Sequence, residues 1–208
     1  MFPGFYLQPL MKKQLIAAAI LSTLLSGAAF AQQTTEGPWM VRTRAVHLES
    51  DNGDSTGLGL SMNNKWIPEV DVSYFFSPNV AVELILTVPQ KQTLTSSAIG
   101  KVGTFKHLPP TLLAQYHFPM NGFKPYVGVG INYTRFSSVD LLPGVTMDKD
   151  SWGGALQVGV DIPLSKGVYL NLDLKKVMLG TDVKLAGAKI GEFKVDPLLI
   201  GVGLGWRF

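Results

Sequence analysis

The chain has no cysteine, only three histidines, and just 16% charged residues among 208. Without cysteine there is no disulfide framework, no thiol nucleophile and no cysteine-ligated zinc. His47, His107 and His117 are scattered, so neither a metal centre nor a cofactor is expected. No Ser–His–acid grouping is visible, and catalysis needs a nucleophile, a base and a group that orients it. The reading is therefore a protein that is not an enzyme. Eighteen Lys and Arg against 15 Asp and Glu leave a formal charge of +3, too weak and dispersed for a nucleic-acid partner. A hydrophobic content of 46% excludes a disordered chain.

Long apolar runs are also missing. The nearest is Leu15–Leu25, eleven residues, too few to cross about 30 Å of hydrocarbon as a helix. It follows Lys12 and Lys13 and precedes Ala29-Phe30-Ala31, the order of a secretory signal peptide with an A-x-A cleavage site. Met11 is a better start than Met1, so residues 1–10 are read as a spurious upstream extension of that peptide. Cleavage near Ala31 leaves residues 32–208 as a single domain. Removing Lys12 and Lys13 also makes that domain almost neutral.

After Ala31 the apolar pattern has period two. Leu198, Ile200, Val202, Leu204, Trp206 and Phe208 share one face of the last segment, against Gly201, Gly203, Gly205 and Arg207. Val80, Val82, Leu84, Leu86 and Val88 oppose Ala81, Glu83, Ile85 and Thr87. Val127, Val129, Ile131 and Tyr133 oppose Gly128, Gly130 and Asn132. Eight such segments follow one another. At about ten to thirteen residues they exceed the ~5–6 usual in soluble strands. Eleven residues at ~3.3 Å, tilted ~40°, rise roughly 28 Å, the apolar height of an outer-membrane barrel.

Connections alternate in length. Ser77-Pro78-Asn79, Met120-Asn121-Gly122 and Leu164–Gly167 are short; 50–65, 91–107, 137–150 and 181–195 are long. Short periplasmic turns and long extracellular loops are what outer-membrane barrels have. Trp39, Phe75, Phe76, Tyr116, Phe118, Phe123, Tyr126, Tyr169, Trp206 and Phe208 fall near segment ends and suit interfacial girdles. The expected fold is an all-β, eight-stranded antiparallel transmembrane barrel in the outer membrane of a Gram-negative cell, with membrane lipid as its surroundings.

Several motifs carry a family resemblance. His107-Leu108-Pro109-Pro110-Thr111-Leu112 leads into Ala114-Gln115-Tyr116-His117-Phe118, then Phe123-Lys124-Pro125-Tyr126-Val127-Gly128 and Gly130-Ile131-Asn132-Tyr133-Thr134. Asp150-Ser151-Trp152-Gly153, Gln157–Asp161, Asp196-Pro197 and the Arg207-Phe208 end follow. Over essentially the whole mature chain this resembles the OmpW family of outer-membrane proteins. The resemblance implies a narrow, partly apolar barrel that helps small hydrophobic solutes cross the outer membrane. It also implies that the terminal Phe is read by the barrel-assembly machinery. A family gate of Leu and Trp aligns with Ile85 and Lys175, and Lys175 departs from its apolar character.

An eight-stranded barrel is filled by side chains or holds one small ligand. Arg42, Arg44, Asp71, Glu83, Gln115, Gln157, Asp173 and Arg207 alternate inward, together with Glu69, His117, Asn132, Asp161, Asn171 and Lys175, and are expected to pair as a polar plug. Pro109 and Pro110 remove two ladder donors where the fourth segment begins, and Pro89 closes the third. They either merely end strands or leave a lateral opening towards lipid. Leu58, Leu60, Leu94, Ile99, Leu141, Leu142, Val145 and Met147 are read as an apolar funnel above. The alternative function is a surface-recognition barrel contacting phage, bacteriocin or host, with no transport.

Overall fold

Period-two alternation with β-branched and aromatic residues folds as ladders. A computed structural model describes residues 36–208, so the expected signal peptide and cleavage site lie outside the described residues. The strands are β1 (Trp39–Glu49), β2 (Gly53–Asp54), β3 (Leu60–Met62), β4 (Lys65–Phe75), β5 (Val80–Thr87), β6 (Gln90–Ser96), β7 (Gly100–Leu108) and β8 (Thr111–His117). They continue with β9 (Lys124–Leu141), β10 (Val145–Met147), β11 (Asp150–Ser165), β12 (Val168–Val177), β13 (Gly180–Leu185), β14 (Ala188–Lys194) and β15 (Leu198–Arg207). Among the described residues no helix is long and apolar enough to cross a membrane.

Eight of these strands close a circle: β1, β4, β5, β8, β9, β11, β12, β15 and back to β1, every pair antiparallel. Closure leaves no free edge within the membrane, where an unpaired backbone N–H or C=O would have no water to bond. Both ends of the barrel domain meet at one rim: the Trp39 and Phe208 backbones exchange hydrogen bonds of 3.1 and 2.9 Å. The three short turns lie at that rim, which is therefore periplasmic.

The four long connections differ from the expectation of irregular loops. They continue the wall as further strands: β6 and β7 form a hairpin that pairs with β3 and with the upper part of β9. β2, β10, β13 and β14 make a second small sheet. These stretches also alternate, but with residues such as Ser61, Lys91, Thr93, Thr95 and Lys106 outward. Only the apolar half of that signal stands out in a sequence, which is why they resemble loops there.

Facing lipid are Leu84, Leu112, Val129, Leu156, Leu172, Ile200 and Val202, all exposed; Val129 is 60% accessible. Such a band is stable only against hydrocarbon, since in water each such side chain forgoes ~1.5–3 kcal/mol of burial. Trp39, Phe76, Tyr116, Phe118, Trp206 and Phe208 ring the periplasmic rim, exposed. Trp39 meets Tyr74 edge-on at 4.8 Å and Tyr116 meets Phe118 at 4.9 Å. Phe75, Tyr126 and Tyr169 correct the girdle expectation: all three are buried inside the barrel. Their sequence parity, one residue out of step with Phe76, Val127 and Leu170, decides this over their position near a strand end.

Candidate functional site

From the periplasmic rim upward, β1 turns Met40, Arg42, Arg44, Val46 and Leu48 inward, all buried. These five mark the layers of the interior. The lowest layer is Met40, Phe75, Ala81 and Tyr169. Arg207, one residue from the C-terminus, lies in this layer. Its guanidinium stacks 3.8 Å above the Phe75 ring and pairs with Glu36 at 3.3 Å. It therefore stands apart from the central network with which its parity grouped it.

Above this lies a layer of charge. Arg42 Nε and Nη2 donate to the two oxygens of Asp161 at 3.1 and 2.8 Å, while Nη1 donates to Asp71 at 3.1 Å, Ser73 at 2.9 Å and Glu83 at 3.4 Å. Arg44 donates to Glu69 at 2.7 Å, Glu83 at 2.9 Å and Asn171 at 2.6 Å. Lys175 Nζ donates to both oxygens of Glu69 at 2.9 and 3.0 Å. Gln115 and Gln157 each donate to Glu83 Oε2, at 2.8 and 2.9 Å, and Gln157 also donates to Asp173 at 2.7 Å. Tyr126 joins from the fifth wall strand; its hydroxyl donates to Asp173 at 2.8 Å. Most of the lone pairs and protons in this layer are engaged by one another, with Asp71 Oδ2 and His117 Nδ1 left without a hydrogen bond. Of the polar residues named from parity, all but Arg207 meet here or at the layer's edges, His117 below beside Phe75 and Asn132 above beside Thr111. Tyr126 is the member sequence reasoning assigned elsewhere.

Room for these long side chains comes from glycines opposite them. A Cβ on Gly159 would stand 2.4 Å from the Tyr126 ring. Replacing Gly159 by Val therefore forces Tyr126 off Asp173, and a loss of about 1–3 kcal/mol in unfolding by urea is the expected result. An unchanged urea midpoint would show that the ring has other room.

The third layer is apolar and ends in a cleft. Its floor is the Lys175–Glu69 pair, and its walls include Leu48, Ile67, Ile85, Phe105, Phe136, Val177, Leu179 and Leu199. The atom-free space measures about 580 Å³, open solvent at the mouth included. Ile85 and Lys175, aligned with the family gate, both line it and are 3% and 1% exposed. Lys175 is not a free cation in the passage, because Glu69 and Asp173, the latter at 3.4 Å, hold it in the floor.

On one side the cleft reaches the barrel wall at Thr87, Pro109 and Thr111. The β5–β8 ladder stops at Ile85↔Thr111, immediately below Pro110. The proline carbonyls turn the other way: Asn132 Nδ2 donates to Pro109 and Pro110 at 3.2 and 3.3 Å, and the Tyr133 N–H donates to Pro110 at 3.1 Å. Pro89, at the top of β5, is exposed and does not line the cleft.

The funnel expectation is corrected. Leu60, Leu94 and Met147 are buried, with Leu58, Leu141 and Val145 packed against them, as the core of the extracellular sheets. Ile99 and Leu142 point outward, 59% and 41% exposed. None of the eight lines the cleft. Because the loops are strands, their apolar residues have a hairpin interior to fill, so they need no passage to face.

One histidine remains. β7 joins β9 beyond the apolar band, where the outward residues are Lys106, Arg135 and Ser137. His107 points inward there, lines the cleft, and has no partner for Nδ1. Burial, and then the charge of Lys65, push its imidazole down to about 4, so it is neutral at physiological pH.

A closed antiparallel barrel of eight strands with an apolar outer band defines an outer-membrane β-barrel protein. The profile described as the OmpW family matches residues 36–208, and the chain belongs to that family. It is 41% identical over 207 residues to the uncharacterized outer-membrane protein y4mB of Sinorhizobium fredii, covering 88% of this chain and 90% of that one. Against outer membrane protein W of Escherichia coli it is 34% identical over 213 residues, covering 95% of this chain and all of the relative. The dibenzothiophene metabolism operon protein PahQ of Pseudomonas aeruginosa is 31% identical over 192 residues, 83% of this chain and 90% of the relative. Among solved structures, OprG of Pseudomonas aeruginosa superposes with a TM-score of 0.71 at 24% identity, over 83% of this chain and 97% of that one. AlkL in lipid bilayers gives 0.67 at 27%, over 86% and 94%. The protein is an outer-membrane protein.

Proposed function

We propose that the barrel carries small, slender apolar molecules from outside into the outer membrane. They enter the cleft from the extracellular end and leave sideways beside Pro109. The observation that carries this reading is the stacking of an apolar cleft directly on a layer of paired charges. An apolar solute that has reached the floor gains nothing by entering the plug, where it would displace hydrogen bonds without replacing them. The wall above Ile85↔Thr111 lacks a ladder on its β5 side, so a sideways path breaks fewer bonds than an axial one. Ile85 acts as an apolar step at the turn of this path, and Lys175 as a fixed part of its floor. Support from the relatives is consistent in chemistry, since dibenzothiophene, named for PahQ, is a flat apolar molecule.

The test is flux into vesicles holding the folded barrel, of a slender apolar solute and of a small polar one side by side. Apolar flux above that of protein-free vesicles, with no polar flux, is the expected result. Polar or ionic flux alone would mean that the charged layer conducts and the sideways path has no motive. No flux of either kind would leave surface recognition by the extracellular sheets as the function.

A further inference from the structure

The inward side of the β6–β7 hairpin is more polar than its surroundings require, and its His107 lines the cleft, whereas Gln90 and Gln92 are buried outside that lining. Gln90 stands opposite His107 and Gln92 opposite Phe105, and all four are buried. Gln90 is satisfied, its Nε2 donating to the Val88 carbonyl at 2.9 Å. Gln92, 1% exposed, has no partner at Nε2 or at Oε1, and His107, 3% exposed, has none at Nδ1. Three of the five buried unpartnered side-chain atoms among the described residues thus sit on one hairpin. The other two, on Asp71 and His117, lie within or beside the charged layer. Around the hairpin the neighbours are Leu94, Phe105 and Phe136, which offer nothing to bond.

Buried polar groups are nearly always partnered, and binding pockets are apolar with a few polar groups that fix orientation. A neutral imidazole carries one donor and one acceptor, and a carboxamide carries both. The imidazole, the one of the two that lines the cleft, matches a hydroxyl or a carbonyl. A charged end would be stranded between Ile85, Phe105 and Phe136, because Lys175 and Glu69 already neutralise each other in the floor.

Resting on the cleft reading above, we propose that the cleft prefers apolar molecules bearing one uncharged hydrogen-bonding end, a hydroxyl or carbonyl, over plain hydrocarbons. His107, whose unpartnered Nδ1 lies in the cleft lining, receives that end and acts as the specificity determinant, while the apolar walls hold the remainder of the molecule.

The mature barrel in lipid nanodiscs, with ¹⁵N-labelled histidine, is titrated with 1-hexanol and with n-hexane at matched concentrations in the lipid phase. Hexanol is expected to shift the His107 ring nitrogens and to bind about tenfold more tightly than hexane, the worth of one to two net hydrogen bonds. In His107→Leu the ratio of hexanol to hexane affinity falls towards one, whereas Gln92→Leu, outside the cleft lining, leaves that ratio as in wild type. His107→Gln keeps most of the preference and serves where the Leu variant does not fold, which heat-shifted gel mobility detects. If the wild-type barrel binds hexane and hexanol alike, the polar-end proposal is overturned while the apolar cleft stands. If it binds neither, the cleft reading fails and this one with it.

Discussion

Replacing Arg42 by Met lowers the stability of the barrel by about 3–5 kcal/mol, the usual result of removing one side of a buried ion pair. Arg42 is fully buried and bonds Asp161 through two nitrogens while its third reaches Asp71, Ser73 and Glu83. Removing it leaves those three carboxylates facing Arg44 and Lys175, both already engaged by Glu69. Methionine fills most of the volume, so the loss measured is mainly electrostatic. The four tryptophans, Trp39, Trp66, Trp152 and Trp206, all face outward, so their fluorescence reports the loss of lipid contact during urea unfolding in vesicles. Asp161→Asn in the Arg42→Met background should recover part of the loss, because it removes one stranded charge. A control at exposed Lys106 should stay within about 0.5 kcal/mol of wild type. An Arg42→Met barrel with an unchanged urea midpoint would mean that water, and not paired charge, fills this layer.

The fold was legible because lipid imposes a simple rule. Alternation at Val80–Val88 or Leu198–Phe208 has an apolar half that must meet hydrocarbon, and closure follows from the even number of such strands. The inward set followed from the same parity, which placed Arg42, Glu83, Gln115 and Asp161 correctly. Parity does not say who pairs with whom. Lys175 finds Glu69 from 106 residues away because barrel closure and shear set the two at one height. Tyr126 was read by its place near a strand end when its parity pointed inward. The greatest loss was in the extracellular hairpins. Leu60 and Leu94 are apolar for the same reason as any core residue, but without β3, β6 and β7 recognised as strands they looked like exposed apolar residues in want of a ligand. Gln92 went unnoticed for the same reason. Its missing partners are visible only once the hairpin is folded.

The charged layer and the apolar cleft also constrain each other. Five carboxylates, Glu69, Asp71, Glu83, Asp161 and Asp173, surround three cations, Arg42, Arg44 and Lys175. A stack of hydrophobic side chains of the same volume would seal the barrel as well or better. On the proposed reading, a charged layer adds a boundary at which apolar solutes would be turned back, the level of Glu69 and Lys175, which is also where the β5–β8 ladder ends at Ile85↔Thr111.

That coincidence makes Pro109 and Pro110 the sharpest test of a sideways path. Continuing the observed register upward sets Leu86 opposite position 110 and Thr87 opposite position 109. Proline at both positions supplies no N–H, so the ladder cannot continue there. Thr at both restores the donors in a residue that favours strands. Because the Pro110 carbonyl faces β9, only the N–H restored at position 109 points to β5, and this one ladder bond of about 1 kcal/mol would have to open for a molecule to pass, slowing apolar flux roughly fivefold. Urea stability should be equal or slightly higher, and the polar solute should remain excluded. The absence of native cysteine allows a second, reversible form of the test. Thr87→Cys with Pro109→Cys places a pair across the same gap, and apolar flux should fall on oxidation and return on reduction. If both barrels fold and conduct as well as wild type, the prolines do no more than end their strands, and the exit lies elsewhere.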